Sequence, residues 1–245
     1  MRFEVLTIFP RFFETYFDAG ILKKAADRSV ISYDVHNLRD YTHDKHKQVD
    51  DYPFGGGSGM VIKPEPVIDA IEHITKDGSE RSVILMSPQG EQFDQKMAEE
   101  MAHKGEDLLF VCGRYEGIDD RVRSYIDKEI SIGDYILTGG ELPALVIIDT
   151  VARLVPGALG DENSAVEESF SWGILDYPHF TRPRTYRDMS VPEVLLSGNH
   201  KDIWLWRREQ ALKNPLMKRP DLLEKAELTD EDMKIIEKIK EDITK

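Results

Sequence analysis

Ser131-Ile132-Gly133-Asp134-Tyr135-Ile136-Leu137-Thr138-Gly139-Gly140-Glu141-Leu142-Pro143 holds three glycines and only two charges. Glycine lets a backbone approach a ligand closely. The run therefore points to main-chain N–H and C=O groups reading a flat, mostly neutral group such as adenine. It has neither a G-x-G-x-x-G that opens a helix nor a G-x-x-x-x-G-K-[ST], so it is not a known phosphate cradle. Taken alone, it reads equally well as a glycine-rich turn into the next element. That element, Leu142–Leu154, is apolar on nearly all sides and is expected to be a buried or interface helix.

Upstream, strands and helices alternate. Arg2–Ile8 is an apolar strand, and Pro10 opens a helix through Phe12, Phe13, Tyr16 and Phe17. Ile31–Asn37 alternates as a second strand, and Pro64–Ile74 has helical spacing at Val67, Ile68 and Ile71. Ser82–Met86 and Leu108–Cys112 are short continuous apolar runs, the pattern of strands buried on both faces. Helical patterns follow them at Gln95–His103 and Ile118–Tyr125. This order implies an α/β domain with a parallel sheet over residues 1–160. The polar stretch from Gly160 to Ser169 reads as part of a flexible linker, residues 161–176. From 177 to 245 the pattern is that of a small all-helical domain. His200–Lys213 is one helix, and Thr229-Asp230-Glu231-Asp232 caps a last one with Met233, Ile236 and Ile239 on its apolar stripe.

The net charge is −14, which excludes generalised nucleic-acid binding by the whole surface. Between Pro178 and Pro220, however, nine Lys and Arg residues outnumber four Asp and Glu, with Tyr186, Trp204 and Trp206 among them. Local charge is what a polyanion meets. No apolar run reaches membrane-spanning length, the N-terminus has no signal-peptide pattern, and Cys112 is the only cysteine. The expectation is a cytoplasmic protein. His43 and His46 lack companion ligands and read as solvated, so no metal site is expected within the protein.

Two further glycine corners, Met86-Ser87-Pro88-Gln89-Gly90 and Cys112-Gly113-Arg114-Tyr115-Glu116-Gly117, each follow an expected strand, where open α/β sheets bind ligands. A third, Tyr52-Pro53-Phe54-Gly55-Gly56-Gly57-Ser58-Gly59-Met60, reads as a substrate-facing loop because a merely flexible loop rarely has Tyr, Pro and Phe on one flank.

Gly113-Arg114-Tyr115-Glu116-Gly117, Ile132-Gly133-Asp134-Tyr135, Leu137 and Gly139-Gly140-Glu141-Leu142-Pro143 together resemble the signatures of bacterial tRNA (guanine-N1-)-methyltransferases of the SPOUT class, which modify guanosine 37 beside the anticodon. The likeness runs in order through Asp50-Asp51-Tyr52-Pro53, Val151-Ala152-Arg153, Tyr177-Pro178-His179-Phe180-Thr181-Arg182-Pro183 and Leu195-Leu196-Ser197-Gly198-Asn199-His200. It implies a deep trefoil knot at the end of the α/β domain, an exception to the rule that chains avoid threading. It also implies S-adenosylmethionine held by Ser87, Pro88, Gly90, Gly113, Tyr115, Glu116, Ile132, Gly133, Asp134, Tyr135, Ile136, Leu137, Gly139, Gly140 and Pro143.

The resemblance further implies a homodimer whose active sites lie at the subunit interface. With the glycine loop and the basic cluster, it points to tRNA contacts at Asp50, Gly55, Gly59, His179, Arg182, Arg207 and Arg208. Enzymes of the family respond to magnesium, for which the place to look is near Glu116 and the bound tRNA.

Guanine N1 carries a proton and attacks a sulfonium methyl only as a base removes it. A cation near O6 would stabilise the developing charge. The family assigns the base to a linker aspartate and the cation to the arginine of Val-Ala-Arg. The cation maps to Arg153. At the base position this chain has Glu168, preceded by Glu167, a departure from the family pattern. Three other readings compete: a related enzyme acting on another base, a silent RNA-binding module, and a nicotinamide dehydrogenase. The last lacks its dinucleotide fingerprint.

Overall fold

Alternation along the strands decides how the first part of the chain packs. The computed structural model describes residues 1–159, 168–170 and 172–244, and the chain divides into two compact units, Met1–Gly160 and Asp161–Lys245. In the first unit the elements are β1 (Arg2–Thr7), α1 (Arg11–Phe17), α2 (Gly20–Asp27), β2 (Ser32–Asn37), β3 (Asp50–Asp51), β4 (Val61–Ile62), α3 (Pro64–Thr75), β5 (Arg81–Gln92), α4 (Gln95–Lys104), β6 (Asp107–Cys112), β7 (Lys128–Ser131) and α5 (Glu141–Ala152). Five strands form one parallel sheet in the order β2-β1-β6-β5-β7. Leu108, Phe110 and Cys112 of β6 enter one core with α1, α2, α4 and α5, while Leu109 and Val111 enter a second with α3. Burial on both faces explains the continuous apolar runs.

Local signals fix the ends of these elements. Asp94 Oδ1 accepts from the Met97 N–H at 2.9 Å to cap α4, and Gly105 closes it in the left-handed conformation. The helix expected over Ile118–Tyr125 is instead a 3₁₀ turn at Asp120–Tyr125. Ile118 and Asp119 are held extended: Ile118 bridges Ile62 in parallel, and the Asp119 N–H donates to the Ile62 carbonyl at 2.9 Å. Only six residues are then left to wind.

The second unit contains β8 (Thr185–Tyr186), β9 (Met189–Ser190), α6 (His200–Lys218), α7 (Pro220–Lys225) and α8 (Asp230–Thr244) around Ile174, Tyr177, Ala211, Leu212, Ile236 and Ile239. It is mostly helical, but the β8–β9 hairpin corrects the all-helical expectation. Trp172 and Ile174, expected in the linker, pack with this core, whereas 161–167 of that linker lie outside the described residues. The α6 helix continues past Lys213 through Pro215, whose buried ring fits the core side of the helix. At the start of α8, Thr229 Oγ1 accepts from the Asp232 N–H while Asp232 Oδ2 accepts from the Thr229 N–H, a reciprocal cap.

Candidate active site

Three adjacent strands, β6, β5 and β7, end on the same side of the parallel sheet, and the chain leaving each one lines a single cavity of about 470 Å³. After Met86, β5 leaves its pairing with β7, bulges outward over Ser87–Gly90, and rejoins it at Glu91. Ser87, Pro88 and Gln89 line the cavity from this bulge. Gly90 marks the return: a Cβ there would collide with the Glu129–Ile130 backbone. It shapes the wall without lining it. The corner after β6 contributes Gly113 to Gly117, and the run after β7 contributes Ile132, Gly133, Tyr135 to Gly140 and, further on, Pro143. Asp134 points to solvent instead.

The last two walls are locked together. The Gly140 N–H donates to the Gly113 carbonyl at 2.9 Å. A Cβ on Gly140 would sit 2.9 Å from the Cys112 Cα, so only glycine admits this approach. Arg114 Nε donates to Glu141 Oε2 at 2.9 Å, and its Nη1 donates to the Thr138 carbonyl at 3.2 Å. Glu141 is buried and also accepts from Thr7 Oγ1 at 2.8 Å. The Arg114 guanidinium lies 4.6 Å from the Phe9 ring centroid.

This buried pair has good geometry and additional hydrogen bonds, the conditions under which a buried charge is tolerated. Arg114 sat inside a glycine corner in the sequence, a charged residue in an otherwise small run. Thr7 gave no signal, because its role depends on a contact 134 residues away.

Other charges at the cavity are compensated nearby. Arg121 donates to Asp119 Oδ1 at 2.8 Å and Oδ2 at 2.8 Å, holding that carboxyl below its usual range. Arg123 pairs with Asp120 and Glu129 and donates to Gln89 Oε1 at 3.2 Å. Burial pushes the Cys112 thiol well above its ordinary value, with the nearby Glu141 charge reinforcing the shift, so it is no nucleophile. Tyr115 holds a left-handed backbone at φ 59°, a strained conformation of the kind stored at functional sites.

The glycine loop of residues 53–60 meets the same corner. Glu116 N–H donates to the Met60 carbonyl at 3.0 Å, and a Cβ on Gly59 would strike the Glu116 side chain. Phe54 at the loop tip is fully exposed, Gly55 has φ 86°, and Asp50 pairs with Ile62 at the loop base.

The sequence matches the family described as tRNA (Guanine-1)-methyltransferase TrmD over residues 1–225. The chain belongs to this family. Its relatives include the tRNA (guanine-N(1)-)-methyltransferase of Dictyoglomus turgidum (strain DSM 6724 / Z-1310), 57% identical over 99% of this chain and 98% of the relative. That of Bacillus cereus (strain AH820) is 53% identical over 98% of this chain and 99% of the relative. Members of a methyltransferase family imply S-adenosylmethionine as methyl donor.

The other residues singled out in the sequence are not among those that line that cavity. Arg153 caps the C-terminal end of α5 in the first unit, and Glu168 is half-buried in the second. Glu167 lies outside the described residues. In the second unit His179 Nε2 lies 2.8 Å from Asp176 Oδ2, and His179 and Arg182 line a smaller cavity of about 390 Å³ that Arg207 also borders. Arg208 differs from Arg207: it donates to Asp232 Oδ1 at 2.7 Å and Oδ2 at 2.8 Å, a fixed bidentate pair. Among the described residues no group of three or more His, Cys, Asp or Glu could hold a metal ion, and no helix is long and apolar enough to cross a membrane. His43 is exposed and hydrogen-bonds Asp69 at 2.8 Å.

Proposed function

We propose that this chain transfers the methyl group of S-adenosylmethionine to N1 of the guanosine at position 37 of tRNA. The observation that carries this reading is membership of the tRNA (Guanine-1)-methyltransferase TrmD family over residues 1–225. The cavity at the strand ends supports it. Its size is within the range of small-molecule sites. Close glycine contacts at Gly139 and Gly140 bring main-chain groups to its wall, and Tyr135, Ile136 and Leu137 give it apolar surface. That uncharged part of the wall suits adenine, and no phosphate needs cradling. When bound there, S-adenosylmethionine would supply a methyl on a sulfonium centre.

Glu168 is the base in this reading. Its carboxylate takes the N1 proton as the new N–C bond forms and the methyl's bond to sulfur breaks. A glutamate has the chemistry of the family's aspartate with one more methylene, which the adjoining chain must absorb. Arg153 stabilises the charge that builds on O6. The SPOUT knot is part of the same reading, with the corners after β5, β6 and β7 as its interleaved segments.

A homodimer through α5 accounts for an otherwise unexplained surface. Leu142 and Val146 on its outer side are 48% and 46% exposed, and Phe9, Phe12 and Tyr16 are also exposed on the first unit. Exposed apolar area of this kind marks association sites. The second unit grips the anticodon stem mainly through phosphates, with His179, Arg182 and Arg207 among the contacts, while Asp50, Gly55 and Gly59 face the substrate from the first. A magnesium ion, where it assists, would be sought near Glu116 and the bound tRNA. The setting is the cytoplasm.

Incubation with methyl-labelled S-adenosylmethionine and tRNA transcripts carrying guanosine or adenosine at position 37 tests the reading. Label should enter the guanosine transcript alone and be recovered as 1-methylguanosine. Equal labelling of both transcripts, or recovery in another base, would overturn it.

A further inference from the structure

The second unit contains a cavity of about 580 Å³ that the proposed chemistry does not use. Trp172, Tyr177, Trp204, Arg207 and Lys225 line it. Two of its three aromatic rings already carry a cation: the Arg207 guanidinium lies 4.8 Å from the Tyr177 centroid and that of Arg208 lies 5.5 Å from Trp172. The third ring, Trp204, is 56% exposed, and among the described residues it stacks on no other ring or cation.

Trp204, Arg207, Arg208 and Ala211 share one face of α6 by their three- and four-residue spacing. Buried Ala211 and the Arg208–Asp232 pair hold that face in place. Asp232 neutralises Arg208, so Arg207 and Lys225 face only Glu227 among the other charges lining the cavity. Among the described residues Arg207 has no carboxylate at salt-bridge distance.

An open indole beside two cations offers a base a stacking surface and its phosphate a charge. Such platforms bind single-stranded nucleotides with little regard to sequence. We propose that this cavity takes one unstacked base of the bound tRNA, with its face on Trp204 and its phosphate toward Arg207 and Lys225. The inference rests on reading the chain as a tRNA methyltransferase, and it adds a nucleotide subsite separate from the methylated guanosine.

The test uses full-length Trp204→Ala and Trp204→Phe proteins. Trp204→Ala should raise KM for tRNA about tenfold, the effect expected for losing one stacked base. Its kcat and affinity for S-adenosylmethionine should stay unchanged, and Trp204→Phe should restore most of the loss. In a parallel titration with an anticodon stem-loop RNA, wild-type tryptophan fluorescence should be quenched, and Trp204→Phe should bind the RNA with much of that quenching gone. Normal wild-type methylation with an unchanged KM in Trp204→Ala sinks the subsite and leaves the methyltransferase reading intact. Failure of the wild-type protein to methylate tRNA sinks that reading instead, and the fluorescence titration still decides the subsite: quenching that persists undiminished in Trp204→Phe overturns it.

Discussion

The cavity of the first unit and the basic face of the second are built from opposite materials. In the first, charged side chains are turned on one another, Arg114 on Glu141, Arg121 on Asp119 and Arg123 on Glu129, and glycine backbone and apolar side chains supply much of the rest of the wall. In the second, cations lie over the rings of half-buried Trp172 and of Tyr177, which is one of the six buried residues that form the core among the described residues. A small, largely neutral ligand is best read by fixed main-chain groups. A polyanion is best met by side-chain charge. The overall charge of −14 therefore says little about which surface meets RNA.

The largest effect is expected at the α5 surface proposed to meet a second copy. Val146→Asp should place a charge in the apolar α5 surface, yield a monomer in sedimentation and abolish methyl transfer. A dimer with normal activity would move the interface elsewhere. Gly140→Val tests the backbone side of the comparison. Its side chain must push on the Cys112 and Gly113 backbone, an overpacking cost of about 1–3 kcal/mol. Calorimetry should show weakened S-adenosylmethionine binding with a lowered Tm.

On the charged side, Arg207→Gln should weaken tRNA binding and reduce the slope of log affinity against log salt by about one. Arg208→Gln should instead lower the stability of the second unit, because it leaves buried Asp232 without its partner. Matching salt slopes in the two variants would erase the distinction drawn between these neighbours.

The smallest effect concerns pH. Arg208, followed by the Thr229 N–H and hydroxyl, holds the Asp232 carboxyl down at about 2 against an ordinary 3.8. A depressed carboxyl contributes stability above its unfolded value and loses it as pH falls through the folded one. About 2 kcal/mol should therefore disappear between pH 4 and 2, and Asp232→Asn should flatten that part of the stability profile.

Much of the first unit was legible because both faces of its strands are buried. Leu108–Cys112 reads as a strand for the same reason that it is one. The edge strand β7 was not legible: only Ile130 and Ser131 of its four residues are buried, so it has no apolar run. The cavity walls were readable as glycine corners, although Gly90 serves the return of the bulge and Asp134 faces solvent. Thr7 and the division between Arg207 and Arg208 were not readable, since each depends on a partner distant in sequence. The α6 helix passes a proline at which sequence rules would stop it, because the core absorbs that ring.

The division of labour between the two units is tested most directly by Glu168→Ala, measured at once for S-adenosylmethionine affinity and for the single-turnover rate on a guanosine-37 transcript. The proposed donor site belongs to the first unit and the proposed base to the second, so affinity should be unchanged while methyl transfer is lost. A near-normal single-turnover rate would remove Glu168 as the base, and a collapse of donor affinity would contradict the separation itself.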